Sequence, residues 1–190
     1  MKHLKMLGLF AMAAAALMAF AGSASAATFT SPTGTAYSGT LKASLQGSAL
    51  LKAGFAEITC TEGEVHGDVT TNNDTHATGP ITLVSFAKCG SATVDTLSST
   101  GTITIEKGTH TVSGTGVQVT TAVAGTSCVY GLGTGTDLGT ATNTIVNSKD
   151  VVTLDVNAKL PKEAGGFLCA SPAAWTANYI VTTPAESYAD

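Results

Sequence analysis

Trp175-Thr176-Ala177-Asn178-Tyr179-Ile180-Val181-Thr182-Thr183 decides how the chain is read. Successive side chains of a β-strand point to opposite faces. Trp175, Ala177, Tyr179 and Val181 therefore share one face, and Thr176, Asn178 and Ile180 the other. Just upstream lies Gly165-Gly166-Phe167-Leu168-Cys169-Ala170-Ser171-Pro172, with the last Cys. Trp175 is the only Trp of the chain. A large aromatic beside a cross-link is how a small β domain fixes its core. Trp175 and Tyr179, with Tyr130 on a second hairpin, are the expected core anchors.

The same alternation runs through the rest of the chain. Tyr37, Gly39, Leu41, Ala43 and Leu45 alternate with Ser38, Thr40, Lys42 and Ser44 as a first strand. Leu50 to Thr61 predicts a second strand, with Ala56, Ile58 and Cys60 on one face. Glu64–Thr70 and Thr75–Gly79 read as a polar hairpin across Asn72-Asn73, setting Val69 opposite His76 and His66 opposite Gly79. Ile81 to Lys88 is apolar on both faces, the mark of a central strand.

A hairpin over Lys107-Gly108 would pair Ile103 with Val112 and Ile105 with His110. Another over Ala124-Gly125 puts Val119 and Val123 on a face with Cys128 and Tyr130. Gly131 to Gly139 reads as a long loop, Asn143 to Asn147 as an edge strand, and Val151 to Ala158 as an inward-alternating strand. Pro161 to Gly166 reads as a loop. Thr, branched and polar, suits the solvent face of a sheet. No long helical periodicity follows the first residues. The sum is an all-β fold, an antiparallel β-sandwich of about eleven strands with two disulfides.

Met1-Lys2-His3-Leu4-Lys5, an apolar run from Met6 to Ala21 and the small-residue pattern Ala24-x-Ala26 form a secretory leader, resembling a bacterial Sec signal. Cleavage after Ala26 leaves residues 27–190 as one domain and no integral membrane span. The mature part has no Arg, and its seven Lys face thirteen acids, a net charge of −6. That balance argues against nucleic acid, whose binding needs basic patches. An outer-membrane barrel also reads as alternating strands, but needs two aromatic girdles that this chain lacks residues to build.

Cys60, Cys89, Cys128 and Cys169 are even in number in an exported chain, which points to disulfides. Three pairings are possible, and spacing favours Cys60–Cys89 with Cys128–Cys169. There is no C-x-x-C to suggest a metal.

Of the candidate chemistry, His66, Asp68, Asp74 and His76 flank one turn, but the expected register sends the two His to opposite faces. Glu57, Glu62 and Glu64 add acid nearby without a calcium-loop spacing. Asn73-Asp74-Thr75 matches a glycosylation triplet, an accident in a chain with a bacterial-type leader. No G-x-S-x-G, H-E-x-x-H or P-loop occurs. No catalytic, cofactor-binding or metal-binding residue is therefore assigned.

Phe167-Leu168-Cys169, the following Ser/Pro loop, Trp175-Thr176-Ala177-Asn178-Tyr179 and Thr182-Thr183-Pro184 resemble the end of a group of small exported bacterial β proteins. Cys128-Val129-Tyr130-Gly131 is similar to a second element of that group. The resemblance implies a fold and an export route and no catalytic residues. A fainter likeness is to exported proteins of the biofilm matrix. The expected function is that of a secreted, non-catalytic structural or surface/matrix protein. Its partners would be other matrix components or itself, with Ala27 to Ser48 adding to a neighbour's sheet. The alternative is a sugar- or small-ligand-binding module using the Gly131–Gly139 and Pro161–Gly166 loops. A secreted hydrolase stands third.

Overall fold

The computed structural model describes residues 27–54, 56–98, 101–123 and 125–190. The leader expected over residues 1–26 lies outside them. Among the described residues there is no helix, and so none long and apolar enough to cross a membrane.

The chain forms β1 (Phe29–Thr30), β2 (Gly39–Ala53), β3 (Ala56–Cys60), β4 (Glu62–Val69), β5 (Thr71–Asn72) and β6 (His76–Ala87). Next come β7 (Thr93–Ser98), β8 (Thr102–Glu106), β9 (Thr111–Thr115), β10 (Gln118–Val123) and β11 (Thr126–Gly131). Then follow β12 (Thr136–Val146), β13 (Lys149–Leu160), β14 (Lys162–Gly165), β15 (Ala173–Thr183) and β16 (Tyr188–Ala189). Strands β15, β13, β12, β9, β8, β6, β4 and β2 pair in that order, and β15 pairs back onto β2. The expected sandwich is thus an eight-stranded antiparallel barrel with additional sheets. Alternating strands satisfy either architecture. The choice falls to the pairing of β2 with β15, which removes both long edges.

β2 makes this possible by its length. One edge pairs with β15 from Lys42 to Lys52. The other pairs with β4 over Gly39–Ser44 and with β3 over Ala49–Ala53. The register with β15 shifts between Thr176 and Asn178, opposite Gly47, whose φ is +76°. Gly takes that conformation without a Cβ penalty, so the strand bends and continues. The two strands expected over Tyr37–Leu45 and Leu50–Thr61 are therefore redivided, as one long strand and a hairpin partner.

Other expectations are corrected in register. Ile105 faces Val112 and Ile103 faces Gly114, because the turn takes in Lys107 to His110 rather than Lys107-Gly108 alone. His110 then sits at φ 56° in that turn. His66 faces Leu83, not Gly79. A Cβ on Gly79 would lie 1.6 Å from the Asp68 carbonyl oxygen, so only glycine fits there. The Gly131–Gly139 loop shrinks to the turn between β11 and β12, and Leu138 is buried. Asn143–Val146 is the far end of β12, paired with β13 on one side only because the pairing with β9 ends at Thr140, so it forms an edge as expected. Lys162–Gly165 is a strand, not a loop.

The barrel wall is apolar inside and polar outside. Ala43, Leu51, Ile105, Val152, Leu154 and Tyr179 are among its buried residues. Outward Thr side chains pair across strands, with Thr142 and Thr153 hydroxyls 2.7 Å apart and those of Thr78 and Thr104 2.8 Å apart. A membrane-spanning barrel shows the opposite polarity.

The two ends are closed differently. At one end Phe29, fully buried, packs edge-to-face on Tyr37 with centroids 5.8 Å apart. Asn72 fastens this segment. Its Oδ1 accepts from the Thr28 and Phe29 N–H groups at 3.0 and 3.1 Å. Its Nδ2 donates to the Tyr37 carbonyl at 2.9 Å and to that of Phe29. Asn143 holds the facing β16 by two bonds to Ala189, at 2.8 and 2.9 Å. At the other end the four-stranded sheet β14-β11-β10-β7 lies across the barrel as a cap.

Asn72 carries four bonds and Asn143 two, and loss of a buried partner strands the group left behind. Asn72→Ala is expected to lower stability by about 2–4 kcal/mol and Asn143→Ala by roughly half of that. Urea unfolding at unchanged m-value measures both. Equal, near-zero effects would show that the Asn72 bonds do not hold the segment.

Candidate functional site

Beneath the cap the barrel interior holds a cavity of about 70 Å³. Inward-facing residues of the surrounding strands line it. Leu51 and Ile103 reach it from the barrel wall, Val119 and Tyr130 from the cap, and Leu154 and Trp175 from β13 and β15. Trp175, Ile103, Val65, Phe86 and Val156 are inward-facing yet only partly buried, as expected for side chains that border a void.

An aromatic row borders one side. Phe86 and Trp175 rings meet edge-to-face at 6.0 Å, and Trp175 and Tyr179 at 6.3 Å. The shared face of Trp175, Ala177, Tyr179 and Val181 follows from the strand alternation, and all four join the core. Tyr130 and Tyr179 are buried, and Trp175 is partly so.

Three polar atoms in this aromatic set have no hydrogen-bond partner: Tyr130 OH, Tyr179 OH and Trp175 Nε1. The Tyr130 hydroxyl lies towards the Ala170 backbone without making a bond of acceptable geometry. Burial pushes the Tyr179 hydroxyl far above its ordinary 10.0, and raises that of Tyr130 as well.

Both disulfides sit at the capped end. Cys60 ends β3 and is bonded to Cys89 in the connection from β6 to β7. Cys128 in cap strand β11 is bonded to Cys169 in the connection from β14 to β15. The sequence spacing favours this pairing, and the geometry gives it a purpose. Each bridge ties a connection of the cap to a neighbouring strand.

The remaining candidates stay apart. His66 Nε2 lies 3.0 Å from Glu64 on the barrel exterior. His76 Nδ1 meets the neighbouring Thr75 hydroxyl at 3.0 Å, and its strand partner is Glu106. Glu57 pairs with Lys52 at 3.4 Å, and Glu62 pairs with Lys88. Such exposed pairs contribute little. Among the described residues no three His, Cys, Asp or Glu side chains gather as a metal site. Asn73, first residue of the glycosylation triplet, accepts the N–H groups of Thr75 and His76 at 2.9 Å and shapes the turn.

Sequence reasoning missed the cavity. It took Leu132 and Leu138 for loop residues, although two Leu spaced among glycines were a signal of burial. It also took Asn72 for a turn residue.

A folded-state value raised above the unfolded one means that the folded protein keeps a proton that the unfolded chain releases. The Tyr179 contribution is full below about pH 10 and is lost as pH rises above it. Unfolding by urea should therefore become easier above about pH 10, and less steeply so in Tyr179→Phe. Identical alkaline slopes for the two proteins would contradict the burial of this hydroxyl.

Comparison with family models, with characterised proteins and with solved structures finds no match for this chain, so its geometry carries the functional reading.

Proposed function

We propose that the protein works outside the cytoplasm as a non-catalytic binding barrel that takes a small molecule into the cavity under its cap. The observation that carries this reading is the cavity of about 70 Å³ under the cap, larger than the void of about 30 Å³ beside Phe29. Eight strands leave an interior wide enough either for side chains alone or for one small ligand. Well-packed interiors hold few voids larger than a water molecule. A retained cavity costs stability, so a use for it is the economical account. Two disulfides suit an oxidising compartment. The ligand site moves, in this reading, from the surface loops expected at Gly131–Gly139 and Pro161–Gly166 to the barrel interior.

A second reading, a surface or matrix protein that self-associates, is favoured by the cap. Among the described residues its outer strands β7 and β14 each pair on one side only. Phe167, 94% exposed, stands beside β14. The stretch Ala27–Ser48 is engaged in its own barrel, so strand addition would fall to the cap edges.

Trp175 is the only Trp and borders the cavity, so its emission reports occupancy. Small uncharged probes should change it saturably. Ala49→Leu, which fills the cavity, or the smaller intrusion Val119→Ile, should abolish or weaken that change while the protein stays folded. No saturable response to any probe would sink the binding reading. Sedimentation of the same samples as monomer at high concentration would sink the second.

A further inference from the structure

The chemistry of the cavity wall says what kind of molecule can stay there. Leu51, Ile103, Val119, Leu154 and Trp175 present carbon to the void. Asp155 and Thr140 touch it from the outer face of their strands. The Asp155 carboxylate is engaged by Asn178 Nδ2 at 2.5 Å and by the Thr142 hydroxyl at 3.3 Å. The polar atoms of the aromatic row are sealed as well. Tyr130 OH, Tyr179 OH and Trp175 Nε1 are all buried from solvent and cavity alike, with no partner.

A guest's polar group would therefore find no partner in the cavity and would lose its water. That loss is severe for an unpaired hydroxyl, carbonyl or ring nitrogen, and far worse for a charge. Water is a poor occupant for the same reason, since it needs two to four polar neighbours. An apolar cavity of about 150 Å³ in another protein stays dry and accepts benzene or xenon. The present cavity, at about 70 Å³, is roughly half that size, so only a compact guest fits, with small movements of the wall.

We propose that the ligand is a compact, uncharged hydrocarbon, a single aromatic ring or a short branched chain, and that the site excludes sugars and other hydrogen-bonding molecules. This rests on the binding-barrel reading and narrows it. Selectivity comes from desolvation: the wall offers hydrocarbons what they seek and offers polar molecules nothing in exchange for their hydration.

Benzene and pyridine have nearly the same shape and differ by one acceptor nitrogen. Xenon is a smaller apolar probe. Binding of each is read from Trp175 emission and from the amide shifts of Val119 and Leu154, at a pH where pyridine is neutral. Benzene and xenon are expected to bind, with pyridine at least about tenfold weaker than benzene. Tyr179→Phe, which removes one sealed hydroxyl, should leave all three affinities within about twofold. Pyridine binding as tightly as benzene, or a pyridine affinity that falls in Tyr179→Phe, would overturn the hydrocarbon assignment and leave the binding barrel standing. Xenon binding alone would overturn it too, by showing a void too small for a ring or a branched chain. Binding of none of the three would overturn both readings.

Discussion

The pairing of β15 with β2 is the constraint on which the rest of the molecule depends. It runs from Lys42 to Lys52 on one strand and from Ala174 to Thr183 on the other. Without it the eight strands would form an open sheet with two long edges. Edges invite pairing with other chains, and an open sheet of this size must curl or be covered. With it, Ala43, Leu45, Leu51, Trp175, Tyr179 and Val181 turn towards a common interior. The closure also links a strand near the start of the described chain to one near its end. The contact is among the least local in the fold, and its formation carries a large loop-closure cost.

Closure creates a tube, and a tube has two ends. The chain solves them with different chemistry. At one end hydrogen bonds do the work: Asn72 and Asn143 hold two short segments that bring Phe29 and Ala189 into the core. At the other a sheet lies over the opening, and two covalent bridges fix its connections. The hydrogen-bonded end packs around a fully buried Phe29 and leaves about 30 Å³ beside it, whereas the cross-linked end keeps about 70 Å³. A cap tethered by disulfides can hold position over a cavity that contributes less packing energy than a filled core would.

Much of this was legible in the sequence, and the limits have physical causes. Alternation marked Trp175, Ala177, Tyr179 and Val181 as one buried face because side chains alternate in every strand. The hairpin over Ala124-Gly125 was legible because two residues are the shortest turn, so Val119 faces Tyr130 as expected. The disulfide pairing was legible because spacing along the chain favours neighbouring cysteines, and these are the pairs that form. Closure was not legible, since a barrel and a sandwich ask for the same alternation. Glycines misled twice. The break expected between Leu45 and Leu50 falls at Gly47, which lets β2 bend and continue, and Gly133, Gly135 and Gly139 hid the start of β12. The cavity was invisible because it depends on which strands close over which, and no single residue announces it.

Amide hydrogen exchange along β2 and β15 tests the closed barrel most directly. In a closed barrel the Lys42–Ser44 and Leu50–Lys52 parts of β2 are bonded on both edges, so their amides and those of Asn178 to Ile180 should be among the slowest in the protein, matching β12 and β13. Exchange of those amides at the rate of an exposed edge, while β12 and β13 stay protected, would show that the sheet is open and that the barrel does not exist in solution.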